Sequence, residues 1–111
     1  ADAIIAHVGT TIGGSIGVTK AAITLAESAK RIQAIIDAGR RVRKDILFLS
    51  HGGPISTPPD AAYINEHTDA VGFVGASSLD RLAVEGSLTD LTQRFKKIPV
   101  RKEALRAIRW R

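Results

Sequence analysis

Four apolar residues in succession, Ile46, Leu47, Phe48 and Leu49, run without alternation into Ser50, His51, Gly52 and Gly53. An unbroken apolar run suits a strand covered on both faces, as in a parallel sheet. Residues 3–8 and 70–74 read as two further buried strands. Between the first two strands, Val18, Ala22, Leu25, Ala29, Ile32 and Ile36 recur at intervals of four and three, one continuous helical stripe over about residues 18–38.

Local signals place the ends of these elements. Gly39 stands where a left-handed helix cap belongs, and Arg40, Arg41, Arg43 and Lys44 trail the helix end, where its dipole favours cations. Glu27 can pair with Arg31 one turn on. Thr57 with Asp60 forms a capping-box pattern and Pro58 suits a first helical position, so a second helix runs to about His67 with Ala61, Ala62 and Ile64 turned inward. After the third strand, Ser77 or Ser78 caps a short helix. Ser87, with Asp90 three residues on, opens another helix with Leu88, Leu91, Phe95 and Ile98 on its apolar face. Pro99 breaks it, and a basic helical pattern resumes over residues 101–111. The expected fold class is α/β, three consecutive βα units with right-handed crossovers and parallel strands.

The length, 111 residues, points to one domain at most, and 44% hydrophobic residues suffice for a core. Cysteine is absent, which excludes disulfides and thiolate metal sites and fits a reducing compartment. No apolar run is long enough to cross a bilayer, and the first residues lack a secretory pattern, so a cytoplasmic location is expected. The net charge of +5 is uneven: residues 94–111 carry +7 and the remainder −2. Basicity is thus a property of the tail, which has no recognition motif for nucleic acid, and nucleic-acid binding is not expected.

In a parallel sheet all strand carboxyl ends share one rim, so three glycine-bearing turns converge there: residues 9–17, 50–55 and 75–78. Exposed backbone amides suit a phosphate or carboxylate. The candidate anion-binding residues are Gly13, Gly14, Ser15, Gly52, Gly53, Gly75, Ala76, Ser77, Ser78 and Arg81, although Arg81 could instead pair with Asp80, Glu85 or solvent. Gly52 and Gly53 would let the backbone approach the ligand closely. His7 and His51, at strand ends beside the rim, are the candidate acid–base groups, although a histidine in an apolar strand also fits a hydrogen-bonded core role. His67 favours its helix dipole. Three histidines without clustered carboxylates make no metal site.

The motifs Ala6-His-Val-Gly, Thr11-Ile-Gly-Gly-Ser-Ile-Gly, Ser50-His-Gly-Gly-Pro-Ile, Gly72-Phe-Val-Gly-Ala-Ser-Ser and Asp80-Arg-Leu, in this order, resemble the phosphoenolpyruvate hydrolase-like TIM-barrel family over residues 1–98. The resemblance implies that the three strands match the last three of a (β/α)8 barrel, and that residues 99–111 form a separate basic tail. The turns after the last two strands then form a phosphate site, with His7 and His51 at the barrel mouth. It implies a domain of an enzyme, a hydrolase or lyase, acting on a small phosphoenolpyruvate-like anion, or alternatively a non-catalytic sensing or interaction module. A divalent metal would have to come from residues outside this chain. A full barrel takes about 250 residues, so other chains, further copies or a missing barrel half are expected to complete the sheet.

Overall fold

The computed structural model describes residues 1–15 and 17–100. β1 (Ala3–His7), β2 (Leu47–His51) and β3 (Gly72–Phe73) form one open sheet in the order β1-β2-β3. Both pairings are parallel, as the apolar runs predict. The register sets Ala6 beside Ser50 and His7 beside His51, and Ser50 beside Phe73. The third strand is shorter than its apolar run. Its flanks are still held to β2 by single bonds, Val71 N–H to the Phe48 carbonyl at 2.8 Å and Val74 N–H to the Ser50 carbonyl at 2.9 Å.

α1 (Leu25–Val42) begins seven residues later than the periodic stripe predicts. Thr24 stops it: its hydroxyl accepts from Glu27 N–H at 3.1 Å, and the Glu27 carboxylate accepts from Thr24 N–H at 2.8 Å. This capping box outweighs the apolar periodicity of the preceding segment. It also holds the Glu27 carboxyl below its ordinary range, through the backbone and hydroxyl bonds of Thr24. Glu27 therefore acts at the helix start as well as near Arg31. Gly39 is not a left-handed cap; it lies inside the helix, whose final turn is closed by Arg43 N–H on the Gly39 carbonyl at 3.0 Å. A side chain at Gly39 would press on the Phe48 ring, its Cβ only 2.6 Å from Cζ. The glycine makes room for a core residue.

The alternation of β1 and β2 sorts their side chains onto two faces. Ala6, Val8, Phe48 and Ser50 face the helices and are buried with Ala29, Ile32 and Ile36 of α1 and Ile64 of α2 (Pro58–His67). The buried Ser50 hydroxyl donates to the Gly72 carbonyl at 3.3 Å, which satisfies it. Ile5, His7, Leu47, Leu49 and His51 face the other way. No described element covers that face: Ile5 is 50% exposed and Leu47 57%.

α2 starts as its sequence predicts, with Thr57 and Asp60 in a capping box and prolines at its first two positions. Ile64 is buried and Ala61 half-buried, whereas Ala62 is exposed. α3 (Ser77–Asp80) follows β3, and α4 (Leu82–Lys96) follows it directly. Two expectations are corrected here. Neither Ser77 nor Ser78 caps α3; the capping position is Ala76, with no side-chain bond. Ser87 does not open a helix; it sits inside α4, where its hydroxyl bonds the Ala83 carbonyl at 3.2 Å. The apolar stripe of α4 is exposed, Phe95 at 64%. The tail helix expected over residues 101–111 lies outside the described residues. Among the described residues, no helix is long and apolar enough to cross a membrane.

Candidate functional site

The first two turns meet at the carboxyl rim and bind each other. Val8 N–H donates to the His51 carbonyl at 3.1 Å, Gly53 N–H to the Gly9 carbonyl at 2.7 Å, and Ile12 N–H to the Gly53 carbonyl at 3.3 Å. Gly52 and Gly53 have φ of 82° and 60°, a left-handed backbone that side chains disfavour. A Cβ on Gly53 would stand 2.7 Å from the Val8 carbonyl oxygen, and one on Gly52 would collide with that of Gly9. The close approach that these glycines permit is between two loops of the protein itself.

On this braced rim the two histidines stand side by side on the uncovered sheet face, ring centroids 5.0 Å apart and tilted by 59°. Each is fixed by a different backbone group. His7 Nδ1 accepts from Gly9 N–H at 3.2 Å. His51 Nδ1 lies 2.6 Å from the Val74 carbonyl, which can only accept, so this nitrogen carries a proton. In their neutral forms the rings are opposite tautomers. His7 presents an Nε2–H donor, and His51 a bare Nε2 acceptor.

The remainder of the first loop turns toward α4. Gly13 N–H is taken by the Val18 carbonyl at 3.0 Å. Ser15 donates its N–H to Glu85 at 2.8 Å, and its hydroxyl bonds the same carboxylate. Arg81 donates to the Gly13 carbonyl at 2.9 Å and pairs with Glu85 at 3.5 Å. The Ser15 hydroxyl and N–H, followed by Arg81, hold the Glu85 carboxyl below its ordinary range. This latch engages Arg81 within the protein: of the pairings open to it, the one with Glu85 is made, and sequence reasoning missed only that Ser15 binds the same carboxylate. A hollow of about 520 Å³ borders Gly14, Ser15, Glu85 and Asp90.

The third turn is different. Among the described residues, no protein acceptor takes the amide protons of Gly75, Ala76, Ser77 or Ser78. Gly75 and Ser78 border a cleft of about 450 Å³ against Thr57, Asn65, Phe73 and Leu79. The peptide joining Val74 to Gly75 is trans, so its carbonyl meets His51 while its N–H points the opposite way. The histidines border neither hollow. The structure thus joins His7, His51, Gly52 and Gly53 in one braced unit. It leaves the open amides of residues 75–78 in the turn that follows Val74, with the Gly75 N–H directed away from His51, and carries Gly13, Gly14 and Ser15 to the latch. Among the described residues, no group of three or more His, Asp or Glu could hold a metal ion.

A family described as phosphoenolpyruvate hydrolase-like matches residues 1–98. Two tomato (Solanum lycopersicum) proteins, the ToMV susceptible protein tm-1(GCR26) and the ToMV resistance protein Tm-1(GCR237), are each 50% identical over 99 residues, 88% of this chain and 13% of theirs. The y4pA protein of Sinorhizobium fredii (strain NBRC 101917 / NGR234), provisionally named a transcriptional regulatory protein, is 29% identical over 97 residues, 87% of this chain and 16% of its own. The chain therefore spans less than a fifth of the length of these relatives.

Proposed function

The chain belongs to the phosphoenolpyruvate hydrolase-like family, and from that premise we propose that it forms the last part of a TIM-barrel domain whose mouth binds a small phosphorylated or carboxylated, phosphoenolpyruvate-like metabolite. The single observation that carries the reading is the rim itself. Three parallel strands end in turns on one side, with two histidines on the uncovered face and, in the turn after β3, four amides that no described residue accepts from. The apolar residues of that face suit a barrel interior, and both sheet edges need neighbours. The exposed stripe of α4 suits packing on the same missing strands. The rest of a longer chain, or further copies, would supply them. Amides gathered at a strand's carboxyl end suit an anion, and a hydrolase or lyase would use the histidines beside it.

The test removes one amide without removing a side-chain charge. Proline is tolerated at the second position of a helix, as Pro59 shows in α2, so Ser78→Pro deletes an N–H at the start of α3. Calorimetric titration of the intact protein with inorganic phosphate and with phosphoenolpyruvate is expected to show at least tenfold weaker binding in the variant. Unchanged affinity, or no binding by the wild type, removes the anion site.

The names of the relatives, a resistance protein and a provisionally named transcriptional regulatory protein, favour a second reading: a ligand-sensing or interaction module on the same scaffold. Anion binding without turnover by the intact protein is the result that selects it.

A further inference from the structure

The opposite tautomers of the two histidines carry a consequence for chemistry at the rim. Each ring is held by a backbone partner that can play only one role. The Gly9 N–H can only donate, so His7 Nδ1 accepts at 3.2 Å. The Val74 carbonyl can only accept, so His51 Nδ1 donates at 2.6 Å. The two outward nitrogens are therefore unlike, although the residues are identical and paired in register on adjacent strands. A ring protonated on both nitrogens could keep the Val74 bond but not the Gly9 bond. His51 can thus gain a proton without losing its anchor, whereas His7 keeps its anchor only while neutral.

We propose that His51 is the base of this rim and that His7, in its neutral form, is the donor that holds the oxygen on which charge develops. The inference rests on the reading that the rim takes a small anionic metabolite, and narrows it to a carbonyl acid. The carbonyl oxygen accepts from His7 Nε2–H, and His51 Nε2 faces a hydrogen on the carbon next to that carbonyl. His51 removes this proton. The C–H electron pair becomes a carbon–carbon double bond, and the carbonyl pair moves to oxygen, giving an enolate that His7 holds. Return of the proton from the His51 imidazolium to the carbon restores the carbonyl. Nothing else is consumed. A base in hydrogen-bond reach contributes about 10²–10⁴-fold, and one donor at a developing oxyanion about 10²–10³-fold.

Two measurements on the intact protein test this. In the first, histidine ¹⁵N chemical shifts, assigned through His7→Gln and His51→Gln, read the tautomers directly. The expected result is a proton on Nε2 of neutral His7 and on Nδ1 of neutral His51; the same tautomer at both positions overturns the proposal. The second follows exchange of the methyl protons of pyruvate in D2O by proton NMR. The wild type is expected to exchange them above the spontaneous rate. His51→Gln should be at least about 100-fold slower and His7→Ala about 100-fold slower. His7→Gln, whose amide N–H reaches as far as Nε2, should recover most of the His7→Ala loss. Equal losses in His7→Gln and His7→Ala assign His7 a purely structural role and overturn its part. A wild type that binds phosphate yet does not exchange pyruvate overturns the proton step alone. A wild type that binds no anion defeats the underlying reading instead.

Discussion

Gly53→Ala isolates what the second turn contributes to the rim. Gly53 has φ of 60°, a left-handed conformation that costs an L-residue about 1–2 kcal/mol. Its new Cβ would stand 2.7 Å from the Val8 carbonyl oxygen, backbone at the end of a strand and therefore unable to swing aside. Relief requires the turn to move off β1, which breaks the 2.7 Å bond from Gly53 N–H to Gly9. A backbone bond of this kind is worth about 0.5–1.5 kcal/mol net. The sum is about 1.5–3.5 kcal/mol of local stability, or roughly 13- to 370-fold in an opening equilibrium. Hydrogen exchange with mass spectrometry on the intact protein reads this equilibrium in peptides covering residues 7–14 and 50–57. Gly53→Asn separates the two contributions, because asparagine tolerates the left-handed region but brings the same Cβ; it should fall between the wild type and Gly53→Ala. Exchange in Gly53→Ala within threefold of the wild type would refute the reasoning, since neither strain nor lost brace would then be present.

Three further outcomes follow from other contacts. Thr24→Ala should destabilise the start of α1 by about 1 kcal/mol, seen as faster exchange over residues 25–29 with little change in α2. Gly39→Ala should be destabilising despite alanine's better helix propensity, because overpacking against Phe48 costs about 1–3 kcal/mol and the propensity gain is about 1 kcal/mol; adding Phe48→Leu should restore part of the loss in thermal unfolding. The latch should open in acid. The folded Glu85 carboxyl lies below its ordinary value of 4.5, so its contribution is fully present above that pH and is lost as pH falls through the depressed folded value. Limited acid-tolerant proteolysis near Ser15 should increase there, and Glu85→Gln should reproduce the increase at neutral pH.

The sequence was most legible where one local signal stood alone. The unbroken run through Phe48 gave a parallel strand, though among the described residues it is covered on one face and not on both, and Thr57, Pro58 and Asp60 gave the start of α2. It misled where two signals competed. The stripe that begins at Val18 hides the Thr24–Glu27 capping box, a four-residue pattern that was present in plain view. Gly39 looks like a terminator because its real constraint, the Phe48 ring, comes from another strand. Ser87 with Asp90 imitates a helix start within a helix already under way. At the rim, the positions of His7 and His51 were legible from strand direction, but their tautomers were not, because these depend on the Gly9 amide and the Val74 carbonyl. Arg81 was expected to face an anion or a neighbouring carboxylate; Glu85, one helical turn on, is the carboxylate it meets, whereas only the folded backbone brings the Gly13 carbonyl within its reach.

The bond between His51 and Val74 limits what could ever stand at the end of the central strand. A carboxylate would serve as a base but offers the neighbouring carbonyl only a second oxygen lone pair, and the two would repel. A lysine amine could donate to that carbonyl and take a proton on its lone pair, but only in its neutral form, and an ordinary pKa of about 10.4 keeps lysine charged at neutral pH. Imidazole is the side chain that grips the edge strand with one nitrogen and keeps the other empty, so at this position anchoring and reactivity demand the same ring.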